Sequence, residues 1–87
     1  MRQKIVAGNW KMNNDKSETK ELIKGIKKSI KKLPLENTRV IISPSYVNLQ
    51  AAVKKAKDSS IEVVAQNMHQ AKNGAYTGEV SADMLKS

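Results

Sequence analysis

The sequence has no cysteine and no phenylalanine, one tryptophan, two tyrosines and one histidine. Without cysteine there is neither a disulfide nor a thiolate metal site, a usage that fits a reducing compartment. With aromatic residues at 3%, few large side chains are on hand to fill an interior. A chain of 87 residues is at most one domain, and at that size folding buries little more than about 60% of the unfolded surface, so the core is small and stability alone is marginal. No apolar run approaches the roughly 20 residues of a bilayer span, and the N-terminus lacks a secretory hydrophobic region. A soluble cytoplasmic protein is the expectation, with no membrane partner.

Acidic residues are also scarce. Eight Asp and Glu stand against 16 Lys and Arg, for a net charge of +8. Fourteen of the sixteen cations are lysines, and six of those lie between Lys20 and Lys32, on a segment that is also amphipathic. Such a run reads either as the solvated face of a helix or as a polyanion-binding surface. The near absence of arginine and of interleaved aromatics favours the solvated face over nucleic acid.

What is present reads as an alternation of strands and helices. "KIVAGN" (4–9), "TRVIIS" (38–43) and "IEVVAQ" (61–66) are apolar, β-branched runs bounded by polar or turn-forming residues, and predict three strands. Between the first two, Leu22, Ile23, Ile26, Ile30 and Leu33 form one helical stripe over about residues 16–32, with Asp15 or Ser17 as N-cap and Pro34 as the stop. Gly25 inside that helix costs about 1 kcal/mol relative to alanine, which leaves the helix dependent on packing. A second helix over about residues 46–57 carries Leu49, Ala52, Val53 and Ala56 as its buried stripe, and a third begins near Ser81, capped by its hydroxyl, with Asp83 in the first turn. This order predicts an α/β chain with a parallel sheet and helical crossovers. "VAGN" and "VAQN" echo each other faintly at the ends of the first and third strands. The segment "MHQAKNGAYTGEV" exceeds the usual strand-to-helix connection of about 2 to 6 residues, a length that marks a functional loop.

The chemistry-bearing residues gather at strand ends. If extended geometry continues past "GNWKMN", then Ala7, Asn9 and Lys11 share one face while Val6, Gly8 and Trp10 share the other. Trp10 then packs on the helices, and Asn9 and Lys11 project at the C-terminal end of a parallel strand, where α/β proteins place ligands. An amide and an ammonium suit a small anion with an oxygen to be polarised. The competing reading makes Asn9 the start of an Asx turn and leaves Lys11 in solvent. Gln66 and Asn67 read as strand-end polar groups that support the site. His69 has no cysteine or second histidine to join it, so no metal site is expected and the ring reads as loop or interface packing. Glu79 reads as a structural residue in a salt bridge.

"GNWKMN" at 8–13 is similar to the N-terminal signature of the triosephosphate isomerase family, and "AQN" at 65–67 with "GAYTGEVS" at 74–81 resembles that family's third strand and third loop. The resemblance implies a (β/α)₈ TIM barrel, of which residues 1–87 are the N-terminal part of one domain and supply the first three βα units, the third incomplete. It also implies interconversion of dihydroxyacetone phosphate and D-glyceraldehyde 3-phosphate through an enediolate, without a cofactor, in glycolysis and gluconeogenesis. By the same resemblance Asn9 positions the substrate oxygens, and Lys11 is the catalytic residue that supports the phosphate dianion and the enediolate charge. The loop at 67–79, with Tyr76 and Thr77, inserts into a second subunit of a homodimer, where Thr77 supports the neighbouring Asn9 and Lys11. The family's histidine, glutamate and lid are not among these residues, so the chain by itself is expected neither to fold cooperatively nor to turn over substrate. Two other readings stay open from the residues: a small basic nucleic-acid-binding α/β module, and a non-catalytic half-barrel that acts as an assembly partner.

Overall fold

The computed structural model of the chain describes residues 2–33 and 37–87. Strand β1 (Lys4–Asn9) leads to helix α1 (Lys16–Lys32), and strand β2 (Thr38–Ser43) follows. A 3-10 turn (Tyr46–Asn48) then runs into helix α2 (Leu49–Ala56), before strand β3 (Ile61–Val63) and helix α3 (Ala82–Lys86). The strands form one sheet in the order β1-β2-β3, parallel throughout.

The register fixes which side chains meet the helices. Val40 lies opposite Val6 and Ile61, and Ile42 lies opposite Gly8 and Val63. Because successive side chains alternate between faces, this set turns toward α1 and α2. Ile23, Ile42, Ala52, Ala56 and Ile61 form the buried core, with Trp10, Ile26, Ile30, Val40 and Val63 packed around it. The other face carries Ile5, Ala7, Asn9, Arg39, Ile41, Ser43 and Glu62, and no helix covers it among the described residues. β1 stays open even on its helical side, where Val6 is 60% exposed.

Helix α1 starts at Asp15, not Ser17. The Asp15 carboxylate accepts from the Glu18 N–H at 2.8 Å, and the Glu18 carboxylate accepts from the Asp15 N–H at 3.0 Å, a reciprocal capping box. Lys31 and Lys32 complement the dipole at the other end; Pro34, the expected stop, lies outside the described residues. The buried stripe is narrower than predicted. Thr19, Ile23, Ile26 and Ile30 face inward, whereas Leu22 and Leu33 are exposed. Leu22 and Ile23 are about 100° apart around the helix, and only one of them can point at the sheet. Val53 is likewise exposed, because Ala52 and Ala56, four residues apart, hold the inward line of α2.

The two helices are fastened end to side. Lys27 of α1 donates its ammonium to the carbonyls of Lys55 and Lys57 at 3.1 and 3.3 Å, satisfying groups at the C-terminus of α2 where the dipole favours a cation. The hydroxyls of Thr19 and Tyr46 are buried with no hydrogen-bond partner among the described residues, a cost of about 1–3 kcal/mol each.

β3 stops at Val63 and does not reach residue 66. The Val64 N–H still donates to the Ile42 carbonyl at 3.0 Å. The Ser43 carbonyl points to the other edge of β2, where it accepts from the Trp10 N–H at 3.1 Å and from the Gln66 side chain at 2.9 Å. Pro44 has no N–H to continue the ladder on the β3 side, so the chain leaves it there.

On the open face Arg39 makes a forked contact with Glu62, Nε to Oε2 at 2.8 Å and a terminal nitrogen to Oε1 at 2.7 Å. These hydrogen bonds, seconded by the opposite charge, hold the Glu62 carboxyl below the usual range against a smaller opposing effect of desolvation. A depressed folded value contributes stability that is fully present above the ordinary glutamate value of about 4.3 and is lost as pH falls through the lowered one. The Arg39 guanidinium is raised, so its share is constant over any accessible pH. In a barrel completed by the remaining strands, Glu62→Gln is therefore expected to lower the unfolding midpoint near neutrality and to converge on the parent as pH falls through the depressed value; a gap that stays constant from pH 7 to pH 3 would show that the ion pair contributes nothing.

Candidate functional site

The sheet's C-terminal end is where the polar side chains collect. β1 ends at Asn9, and the Trp10 N–H holds the chain against Ser43 for one more residue while the Trp10 ring packs on the core. Lys11 then breaks the extended geometry with a φ of 55°, the left-handed region that costs a side-chain-bearing residue about 1–2 kcal/mol. Extended geometry therefore does not continue to Lys11, and of the two readings of this stretch the structure has the Asx turn begun by Asn9, with Lys11 exposed, in place of a continuous strand face.

Two hydrogen bonds hold that turn. The Lys11 N–H donates to Asn9 Oδ1 at 3.0 Å, and the Lys11 carbonyl accepts from Gln66 Nε2 at 2.7 Å. The same Gln66 amide donates to the Ser43 carbonyl at 2.9 Å. One side chain just after β3 therefore joins the loop after β1 to the end of β2. Further along the loop, Asn13 Nδ2 donates to the Trp10 carbonyl at 2.7 Å, and Asn48 Nδ2 donates to the carbonyl of Asn14, itself left-handed with a φ of 72° at 2.9 Å. Three of the loop's carbonyls are held by side-chain amides.

This arrangement leaves groups to offer a ligand. Asn9 uses its oxygen on Lys11, and its Nδ2 donates to nothing among the described residues. The Lys11 side chain is exposed and pairs with no carboxylate there, since the ion pair among the described residues is Arg39 with Glu62. An amide donor beside an unpaired ammonium, on a chain of net charge +8, favours a small anion.

The long loop is a separate structure. The His69 N–H donates to the Val80 carbonyl at 2.8 Å, closing the loop on itself, and its ring lies 4.2 Å from that of Tyr76 at a 38° tilt. Gly74, with a φ of 142°, lies under the Tyr76 ring, where a Cβ would fall 2.7 Å from a ring carbon; only glycine fits. Residues 72–79 are all exposed. Among the described residues no hydrogen bond joins Asn67, Tyr76 or Thr77 to Asn9 or Lys11, and no ion pair includes Glu79, contrary to expectation. Among the described residues no group of three or more histidine or acidic residues is placed to hold a metal, and no helix is long and apolar enough to cross a membrane.

Of the predicted site residues, then, Asn9, Lys11 and Gln66 meet, and Asn67, Tyr76 and Thr77 stay apart from them. Asn48 was not foreseen: it falls inside the helix predicted over about residues 46–57, and nothing local in the sequence points it at Asn14.

The sequence profile of the family described as Triosephosphate isomerase matches residues 4–87. The chain is 58% identical to a triosephosphate isomerase of Flavobacterium psychrophilum over 88 aligned positions, covering 100% of the chain and 34% of that protein. The corresponding protein of Flavobacterium johnsoniae is 53% identical, with the same coverage of 100% and 34%. One from Clostridium botulinum is 46% identical over 86 positions, covering 99% of the chain and 34% of that protein. The chain thus spans about a third of the length of these curated relatives. With the profile matched along nearly all of its length and the parallel βαβαβ order in place, the chain belongs to the triosephosphate isomerase family.

Proposed function

We propose that this chain serves the interconversion of dihydroxyacetone phosphate and D-glyceraldehyde 3-phosphate, as the part of a TIM barrel that binds the substrate's charge. The supporting observation is the Lys11 turn, whose backbone is fixed by Asn9 and Gln66 while its ammonium stays unpaired at the C-terminal end of a parallel sheet. That is the end of a barrel at which reactions take place.

In this reading Lys11 attracts the phosphate dianion and stabilises the oxyanion of the enediolate, and the free Nδ2 of Asn9 donates to a substrate oxygen. Donors fixed before the reaction need no reorganisation as charge develops, which makes electrostatic stabilisation effective. Carrying the proton between the two carbons requires a base within hydrogen-bond reach. Two amides and an ammonium do not supply one, so residues 1–87 contribute binding and electrostatics and turn over nothing alone. The loop at 67–79 is a homodimer contact, supported by its two exposed left-handed glycines and by Tyr76, which is half open to solvent. The cytoplasm is the compartment this reading implies.

The test joins residues 1–87, in place of the matching first third, to the rest of the Flavobacterium psychrophilum relative. The joined protein is expected to isomerise triose phosphates within about tenfold of that relative, and Lys11→Met to cost at least about 100-fold in turnover, the scale of losing one preorganised charge donor. Turnover within threefold after Lys11→Met would exclude the assigned role.

Deleting Gln70 to Tyr76 from the joined protein is expected to convert a dimer to a monomer and to remove most activity. Sedimentation at nanomolar concentration measures this; an intact dimer would contradict the interface.

A further inference from the structure

Asn48 stands at the N-cap position of α2, where an asparagine oxygen ordinarily accepts from the helix's own second or third N–H. Here it makes no capping bond. The side chain is 2% exposed, and its Nδ2 donates to the Asn14 carbonyl, 34 positions earlier, at 2.9 Å and to Ser45 Oγ at 3.2 Å. A buried amide placed to cap a helix is thus directed to a distant loop.

Within that loop Asn13 donates to the Trp10 carbonyl, and beyond that bond the loop has little else to fix it. Lys11, Met12 and Asn13 are all exposed, Met12 to 95%, so packing does not restrain them. Upstream, the Lys11 carbonyl is anchored to Gln66; downstream, the Asn14 carbonyl is anchored to Asn48, and Asp15 then enters α1. Only Met12 and Asn13 lie between the two anchors. With the second anchor removed, the Lys11 turn is tied at one end alone, and a displacement of about 1 Å is enough to weaken an electrostatic contact severely.

We propose that Asn48 is a positioning residue for Lys11: its buried amide holds the Asn14 carbonyl, fixes the downstream end of the turn, and so aims the ammonium at a phosphate. The inference rests on the anion-binding role given to Lys11 above.

The experiment uses the joined protein and inorganic phosphate as the probe, with the dissociation constant measured by calorimetry and KM and kcat measured alongside. Asn48→Ala is expected to raise both the phosphate dissociation constant and KM about tenfold with a smaller loss in kcat. Asn48→Asp keeps the shape but replaces the donor by an acceptor facing a carbonyl; it is expected to behave like alanine, and it stands in if the alanine variant does not fold. Ala52→Gly, buried in α2 with no bond to the loop, controls for simple destabilisation: it is expected to lower the unfolding midpoint and leave phosphate binding unchanged. Phosphate affinity within twofold of the parent in both Asn48 variants would overturn the proposal, as would an equal loss in Ala52→Gly. A joined protein that binds phosphate in an Asn48-dependent way but isomerises nothing would refute the functional reading and uphold this one. A joined protein that binds no phosphate would refute both.

Discussion

One side-chain amide, that of Gln66, donates to the carbonyls of Lys11 and Ser43 at 2.7 and 2.9 Å, and the C-terminal end of the sheet is organised around it. Each of these bonds is worth about 1 kcal/mol net, while the left-handed backbone of Lys11 costs about 1–2 kcal/mol. Neither the Gln66 bond nor the Asx bond from Asn9 outweighs that cost with a margin; together they roughly balance it. The turn that presents the ammonium therefore exists because two side chains from different parts of the chain agree on it. β3 ends three residues before Gln66, where Pro44 has no N–H to continue the ladder.

The small core has the opposite character. Ile23, Ile42, Ala52, Ala56 and Ile61 are closed off on the helical side, yet among the described residues the opposite sheet face is open and β1 has a partner on one edge only. In a family built as an eight-stranded barrel, that face is the one the other strands enclose, and the free edges are the ones they pair. The site lies at the rim of the open face, so polar side chains there cost nothing to the packing beneath. This is the physical reason that an amide, an indole and an ammonium follow directly on a buried-type strand: the indole faces the helices, and the other two belong to the rim.

Much of this was legible in the sequence. The apolar runs of β1 and β2, the helical period of Ile23, Ile26 and Ile30, the Asp15 cap and the Ser81 hydroxyl accepting from the Met84 N–H are local features with local causes. Where the reading missed, the cause was tertiary. Leu22, Leu33 and Val53 match the helical period, but a single sheet face cannot cover so wide a stripe. Alternation carries a strand face on to Lys11 because it cannot register a carbonyl held by a side chain 55 positions later. The Asx turn, a local feature of Asn9, is the competing reading that the structure has. The oxygen of Asn9 makes that turn, and its nitrogen donates to nothing among the described residues. Asn48 was invisible because its partner, the Asn14 carbonyl, lies 34 positions earlier in the chain.

The dependence of the site on Gln66 is tested most directly by the solvent exchange of its own side-chain amide protons, followed by nitrogen-15 NMR in the joined protein. Bonded to Lys11 and Ser43, they are predicted to exchange at least about tenfold more slowly than those of the exposed Gln50, in keeping with the protection that native hydrogen bonding confers. Exchange as fast as that of Gln50 would contradict the claim that this amide holds the Lys11 turn.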